Sequence, residues 1–243
     1  MFFLRGAPVI YYGAEQGFVG TGGDKAARQD MMPSEVSYYN NTNVLGTDKT
    51  SADYNFDTDH PLYLKWREYA RLFRQHETLR NGTLHVRSVS ASNTYAVSRF
   101  NESSREEYLV VFNFNPDRSK TTIVKAYADS YQGLYGVDDN LVASGGNISV
   151  PVAANSVAIL KATNIADLAA PVINSLDAPA NNSNASGIVS FYPELAGLSD
   201  VELPTYSVSL ELSTNGGSDW STVATDSTLP YQLYFNTSKV ADN

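Results

Sequence analysis

The hydrophobic pattern of the chain changes at Gly82, and this change restricts the folds that are possible. Before Gly82, apolar residues recur at helical spacing with charged residues between them, at Leu62, Trp66, Tyr69 and Phe73. After Gly82 the helical period disappears, and short β-branched and aromatic runs alternate with turn-forming segments. The sequence therefore predicts a mixed architecture, in which a part containing a helix precedes an all-β part.

The first part has the organisation of one βα unit. Residues 7–12 form an apolar run without alternation, which is typical of a strand buried on both faces of a parallel sheet. Residues 13–59 are rich in Gly, Asn, Asp, Thr and Ser and exceed the usual connection length, so this loop is expected to be either functional or disordered. A helix is predicted from about Pro61 to Arg80, with Asp59 or His60 as its N-cap.

The all-β part divides into two predicted units. Strand-like runs between residues 83 and 162 predict a complete antiparallel β-sandwich, and the runs lie at 95–100, 108–114, 121–124, 147–152 and 156–161. Residues 163–187, rich in Ala, Asn, Ser and Pro, are predicted to be a linker. Residues 188–243 are predicted to be part of a second sandwich.

This last segment carries a hairpin signal. The run from Tyr206 to Leu212 alternates, Asn215-Gly216-Gly217 suits a turn, and residues 220–224 suit the return strand. The pattern resembles an immunoglobulin-like domain, which needs about seven strands and roughly 100 residues. We therefore expect an incomplete immunoglobulin-like unit.

Composition excludes several classes of function. The chain has 26 acidic and 17 basic residues, and no Lys or Arg run interleaves with aromatics, so neither nucleic acid nor a membrane is expected as a partner. Cysteine is absent, which excludes disulfides, thiolate nucleophiles and cysteine zinc sites. The three histidines, His60, His76 and His85, lack the spacing of a metal site, and no metal ligand is assigned.

One segment of the first part carries a family resemblance. Arg5-Gly-Ala-Pro-Val-Ile-Tyr-Tyr-Gly-Ala-Glu-Gln16 resembles the eighth barrel strand of the α-amylase family of glycoside hydrolases, with its Gly-x-Pro-x-x-Tyr-x-Gly-x-Glu pattern. Gly23-Asp24-Lys-Ala-Ala-Arg28 is similar to the loop that follows that strand. The β part resembles the family's C-terminal sandwich in position and in its Val-Val-Phe-Asn-Phe strand. The resemblance covers residues 1 to about 162.

The resemblance implies a fold and a set of site residues. Residues 1–82 would be the last βα unit of a TIM barrel, and the loop from Gly13 would face substrate, because barrel active sites lie at the C-terminal face. It implies that Asp24 and Arg28 hydrogen-bond sugar hydroxyls away from the scissile bond. Tyr12 and Glu15 are implied to support the active-site floor. As alternatives, Asp24 and Arg28 pair with each other or with a missing barrel neighbour, and Tyr12 serves only barrel packing.

The catalytic residues are not expected in this sequence. Retaining glycosidases use two carboxyl groups about 5 to 5.5 Å apart, and the family takes both from earlier barrel strands. The 243 residues contain no Gly-x-Arg-x-Asp, catalytic Glu or Asn-His-Asp segment of the family's kind. The resemblance thus implies a secreted or periplasmic parent enzyme acting on α-1,4-glucans, with calcium possible in that parent only. This chain alone is expected to be inactive and to need no cofactor.

A second hypothesis is a non-catalytic protein that binds carbohydrate or protein through its β-sandwich parts. Trp220, Tyr231 and Tyr234 would then offer an aromatic platform for a sugar ring. Strand aromatics in immunoglobulin-like units more often pack in the core, so core packing is the expectation for these three residues. The barrel-like segment at the N-terminus favours the enzyme hypothesis.

Overall fold

A computed structural model describes residues 1–20, 22–101, 103–165, 172–196, 206–227 and 230–240. The chain divides into two units, Met1–Asn81 and Gly82–Asn243. The boundary lies beside Gly82, where the hydrophobic pattern changes. Within the described residues, no helix is both long enough and apolar enough to span a bilayer.

The helix of the first unit is confirmed, although it is interrupted near its end. Helix α1 spans Pro61–Gln75, and helix α2 spans Glu77–Asn81. His60 is the N-cap, since its Nδ1 accepts a hydrogen bond from the backbone N–H of Leu62 at 3.2 Å. The backbone of His76 is extended, so the first helix stops there and a second one begins.

The apolar face of α1 packs against the N-terminal residues of the chain. The ring centroid of Phe2 lies 6.5 Å from that of Trp66 and 6.3 Å from that of Phe73. Phe3 meets Tyr69 edge to face at 5.5 Å. Phe2 and Phe3 are both buried, so these aromatic rings form part of the core of the first unit.

The predicted strand at residues 7–12 is wrong for this chain, because these residues form no strand with any described residue. Their apolar side chains are exposed, with Val9 at 80% and Tyr11 at 61%. A parallel strand exists only as part of a hydrogen-bonded ladder, and the described part of the first unit has no strand to pair with it. The apolar run is therefore present without the sheet that its composition suits.

The second unit begins with an antiparallel β structure, as predicted. Its strands are β1 (Thr83–Arg87), β2 (Thr94–Asn101), β3 (Glu106–Asn113), β4 (Lys120–Lys125), β5 (Ala128–Tyr135), β6 (Leu141–Val142), β7 (Asn147–Val152) and β8 (Ser156–Ile165). One six-stranded sheet has the order β1-β2-β3-β8-β5-β6, and β4 pairs with β7 separately. Every one of these pairings is antiparallel, and each predicted strand run overlaps an observed strand.

The core of this β structure contains side chains from both sheets. Leu109, Val111 and Leu160 of the six-stranded sheet belong to the same buried cluster as Ile148 and Val150 of β7. Strand β7 shows why its sequence folds this way, because its side chains alternate strictly between exposed and buried. The two sheets are therefore joined by an apolar core.

A buried charged network lies within the same β structure. The Nη1 of Arg87 donates to Oε1 of Glu107 at 2.8 Å and to Oγ of Ser98 at 2.6 Å, and both charged side chains are fully buried. The hydroxyl of Tyr131 donates to Oε2 of Glu107 at 3.1 Å. The guanidinium of Arg87 lies 4.0 Å from the ring centroid of Tyr127. These contacts pair the two buried charges with each other and with neighbouring hydroxyl groups, which offsets part of the cost of burying them.

The remaining strands form two small sheets. They are β9 (Val172–Asp177), β10 (Ile188–Ala196), β11 (Val208–Leu212), β12 (Ser221–Asp226) and β13 (Leu233–Asn236). One sheet has the order β13-β10-β9, and β11 pairs with β12 as the predicted hairpin. The turn contains Gly216 and Gly217 at positive φ, which confirms the predicted turn residues.

The predicted linker at residues 163–187 is wrong in part, because strand β9 lies inside it. Strand β8 also continues into this segment, as far as Ile165. The linker prediction rested on small and polar residues, but Val172 and Ile173 are β-branched and pair with β10. Residues 166–171 of that linker, and residues 197–205, 228–229 and 241–243 of the predicted last unit, lie outside the described residues.

Candidate functional site

The long loop of the first unit is closed at its base by one side chain. Gln16 ends a short 3₁₀ helix, Ala14–Gln16, and is only 2% exposed. Its Nε2 donates to the backbone carbonyl of Asp57 at 3.0 Å, and its Oε1 accepts from the backbone N–H of Asp57 at 3.1 Å. Both ends of the loop are thus held together.

Gly17 brings the start of this loop against its middle. The backbone N–H of Leu45 donates to the carbonyl of Gly17 at 2.8 Å. Gly17 has a φ of +79°, and a Cβ there would lie 2.5 Å from the carbonyl oxygen of Leu45. Only glycine fits both the positive φ and this close approach.

The segment that carries Asp24 and Arg28 is anchored by the residues around it. Gln29 is 2% exposed, and its Nε2 donates to the carbonyl of Tyr39 at 3.1 Å. The hydroxyl of Tyr39 donates back to the carbonyl of Lys25 at 3.1 Å. Residues 24–29 are therefore fixed against the 3₁₀ helix Tyr39–Asn41.

Asp24 and Arg28 pair with each other, which was one of the alternatives for these residues. Their Oδ2 and Nη2 atoms are 2.5 Å apart, and the side chains are 79% and 59% exposed. An ion pair this exposed contributes about 0–1 kcal/mol to stability, because solvent screens it and two long side chains lose freedom. The pair therefore presents charged hydrogen-bonding groups at the surface with little energetic cost for rearrangement.

Two tyrosine pairs belong to the same region, and together we name them the tyrosine cluster: Tyr11, Tyr12, Tyr38 and Tyr39. The ring centroids of Tyr11 and Tyr12 are 4.6 Å apart, and those of Tyr38 and Tyr39 are 4.5 Å apart. Tyr11, Tyr12 and Tyr38 are exposed. Each pair thus presents aromatic surface to solvent.

Electrostatic interactions connect the tyrosine cluster to the charged residues. A hydrogen bond with Tyr38 raises the pKa of Tyr39 to about 12, and Asp30 and Tyr12 also act in that direction. A hydrogen bond with Tyr11 raises the pKa of Tyr12. The charge of Asp30 raises this pKa further, and the charge of Arg28 lowers it. Tyr12 and Tyr39 therefore share the electrostatic environment of Asp30.

Sequence reasoning missed Asp30, Tyr38 and Tyr39. The carboxylate of Asp30 accepts a hydrogen bond from the Ser34 hydroxyl at 2.7 Å, which fixes it within the loop. The available signal was the repeated Tyr-Tyr dipeptide, once in the barrel-like segment and once in the loop. Its significance depends on the fold of the loop, which brings the second dipeptide back to residues 24–29.

Glu15 lies in the 3₁₀ helix Ala14–Gln16 at the start of the loop and is half-buried. Its Oε2 atom is buried and has no hydrogen-bond partner among the described residues. A buried carboxylate oxygen without a donor is unfavourable by about 1–3 kcal/mol or more. The role of Glu15 and Tyr12 as active-site support stays a prediction.

The chemical groups of this loop suit a neutral polyhydroxylated ligand. A carboxylate accepts and a guanidinium donates several directional hydrogen bonds, which matches neighbouring hydroxyls. Exposed tyrosine rings add apolar surface with a polar tip. Within the described residues, no group of three or more His, Cys, Asp or Glu side chains is arranged to hold a metal ion.

Comparison with known proteins gives one strong sequence match. No protein-family model matches the chain. The chain is 36% identical over 241 residues to an α-amylase of Streptomyces lividans, covering 96% of this chain and 25% of that protein. The chain thus spans about a quarter of the length of the curated relative it matches.

Solved structures give weaker matches. An Anoxybacillus α-amylase is 17% identical, covers 69% of this chain and 31% of its own, and has a TM-score of 0.49. An α-amylase from H. orenii is 19% identical, and the match covers 67% of this chain and 33% of that protein, with a TM-score of 0.45. Because both scores lie below 0.5, the relationship rests on the sequence match.

Proposed function

Since this chain is recognised as a C-terminal portion of an α-amylase family glycoside hydrolase, we propose that its loop over residues 13–59 binds α-glucan substrate. The observation that carries the proposal is the exposed Asp24–Arg28 pair, held on a loop that buried side chains keep in place. Asp24 accepts hydrogen bonds from sugar hydroxyls, and Arg28 donates to them.

The proposed substrate class is α-1,4-glucan, which includes starch, glycogen and maltooligosaccharides. Such chains are neutral, and a polypeptide with a net charge of −9 does not repel them as it repels anionic polymers. The exposed pair supports this choice, because an ion pair on the surface exchanges its partner for hydroxyl groups at low cost.

We propose that the 243-residue polypeptide binds the glucan without hydrolysing it. The parent enzyme would be a secreted or periplasmic retaining glycosidase whose two catalytic carboxyl groups come from barrel strands outside this sequence. In this assignment residues 1–82 end the catalytic barrel, 83–162 form the C-terminal sandwich and 188–243 form part of an immunoglobulin-like domain.

Isothermal titration calorimetry with maltoheptaose tests the proposal. We expect Asp24→Ala and Arg28→Ala each to weaken binding at the loop about tenfold or more, because hydrogen bonds to charged groups contribute roughly 1.5–3 kcal/mol. Glu68→Ala is the matched control, since Glu68 also belongs to an exposed ion pair, with Lys65 on helix α1. Equal affinity of Asp24→Ala, Arg28→Ala and Glu68→Ala would overturn the proposal.

A reducing-sugar assay on the same samples tests the second half of the proposal. We expect no release of reducing ends from maltoheptaose by the 243-residue chain. If the wild-type chain releases reducing ends from maltoheptaose, and the control variant Glu68→Ala also does so, the assignment of the catalytic groups to other segments is contradicted.

A further inference from the structure

Two tyrosines lie side by side on the outward face of the sheet β13-β10-β9. Tyr234 is opposite Ser190 in the β10–β13 register, which places Tyr192 diagonally across the strands on the same face. Their ring centroids are 6.5 Å apart, and the rings are nearly perpendicular at 88°. Tyr192 is 38% exposed and Tyr234 49% exposed.

The strand register explains why these two rings are outside. Successive side chains of β13 alternate between the faces of the sheet, so the neighbours of Tyr234 point the other way. Leu233 is 3% exposed, and Phe235 is half-buried.

Core packing was the sequence expectation for Tyr231, Tyr234 and Trp220, and it is confirmed for Tyr231, which is 2% exposed. It is wrong for Tyr234 and for Trp220, which is 61% exposed.

The ring of Tyr234 is held in its orientation by its own hydroxyl. That hydroxyl donates to Oε1 of Gln232 at 2.8 Å, and Gln232 is itself held because its backbone N–H donates to Oδ2 of Asp226 at 2.8 Å. An aromatic ring that is already oriented loses little conformational freedom when a ligand stacks on it.

A cavity of about 380 Å³ lies beside Tyr234, between the hairpin β11–β12 and strand β13. This volume is within the range of roughly 300–1,000 Å³ that ligand sites occupy. Its lining combines an aromatic ring with hydroxyl, amide and ammonium groups, from Thr214, Ser221, Tyr234, Asn236 and Lys239. Leu212 and Val223 supply apolar surface.

We infer that Tyr192, Tyr234 and this cavity form a second carbohydrate-binding site, in the second unit of the chain. A pyranose ring presents C–H groups on one face, which pack on an aromatic ring, and hydroxyls at its edge, which the polar lining of the cavity contacts. The identity of the sugar as an α-glucan rests on the function proposed above, whereas the site itself uses none of the residues of the loop.

Titration of the full 243-residue chain with maltoheptaose tests the inference. We expect two binding events in the wild-type chain, and we expect Tyr234→Ala and Tyr192→Ala each to weaken one of them about tenfold or more, since aromatic anchors dominate such interfaces. Tyr234→Phe keeps the ring and should weaken that event less than Tyr234→Ala does. Phe114→Ala, which removes a ring that is 61% exposed elsewhere in the second unit, is the control and should change neither event.

The outcomes separate this inference from the proposed function. Suppose that Tyr234→Ala and Tyr192→Ala bind maltoheptaose as the wild-type chain does, whereas Asp24→Ala binds it more weakly. That result overturns the second site and supports the loop site. The reverse pattern overturns the loop site and supports the second site. Absence of maltoheptaose binding by the wild-type chain overturns both. Because both tyrosines are on the exposed face, unchanged thermal unfolding of each variant is expected and shows that the fold is intact.

Discussion

Gln16 and Asp57 are 41 residues apart in sequence, yet the side-chain amide of Gln16 pairs with the backbone of Asp57 through both of its polar atoms. This contact joins the two ends of the loop. Lys49 adds to it by contacting the carboxylate of Asp57 at 2.9 Å, and this hydrogen bond lowers the pKa of that carboxyl. Gln16 and Lys49 thus both hold the base of the loop that carries the candidate site.

Gln16→Ala is predicted to open the base of the loop. It leaves the backbone N–H and carbonyl of Asp57 without these partners, which costs about 1–3 kcal/mol. Hydrogen exchange should therefore become faster across residues 17–56, and proteolysis there should increase. Gln75→Ala, at an exposed position of α1, is the control. Unchanged exchange in Gln16→Ala would show that other contacts hold the loop.

Gly17→Ala is predicted to displace the loop from Leu45. The new Cβ would lie 2.5 Å from the Leu45 carbonyl oxygen at a backbone φ of +79°, so both strain and a clash oppose it. We expect a loss of about 1–3 kcal/mol in the free energy of unfolding of the first unit. Gly23→Ala places its Cβ in open space and should be within about 0.5 kcal/mol of wild type. Denaturant unfolding compares the two variants.

The buried ion pair of the β structure predicts a non-additive double mutant. Arg87→Met or Glu107→Leu alone should destabilise by about 3–5 kcal/mol, because each leaves a buried charge without its partner. The double variant should recover a substantial part of that loss, since no uncompensated charge remains. Urea unfolding of all four proteins measures the coupling, and strictly additive effects would contradict the importance of charge pairing.

His85 predicts a dependence of stability on pH. Burial, followed by the charges of Arg87 and Arg99, lowers the pKa of His85 from 6.5 to about 4. Between these two values the unfolded chain binds a proton that the folded chain does not, so stability falls as pH falls. The expected loss between pH 7 and pH 5 is about 2 kcal/mol. Urea unfolding of His85→Gln at the same pH values should lack this component, and an identical pH profile would exclude it.

Much of the fold could be predicted from local pattern. The helix and its cap at His60 follow from periodicity and N-cap chemistry. Alternation identifies β7, which has one buried face, and β11, whose side chains alternate between half-buried and exposed. The segment at residues 7–12 could not be predicted in the same way. Its composition suits a strand, but a strand also requires neighbours, and composition does not specify whether they are present.

The candidate site was predicted in part. Asp24 and Arg28 came from a motif resemblance, and the structure pairs them on the loop surface. Asp30 and Tyr39 could not be placed from sequence, because their relation to Arg28 depends on side-chain contacts with the backbone such as that of Gln29. The exposure of Tyr234 was also missed, since it depends on which face of β13 packs against the core.

The central claim is that the loop holding Asp24 and Arg28 binds an α-glucan. Backbone amide NMR spectra of the 243-residue chain, recorded during titration with maltoheptaose, test this residue by residue. The account predicts saturable shift changes at Asp24, Arg28 and their neighbours in the loop, which Asp24→Ala abolishes there. Saturating maltoheptaose that leaves every loop amide unshifted would contradict it.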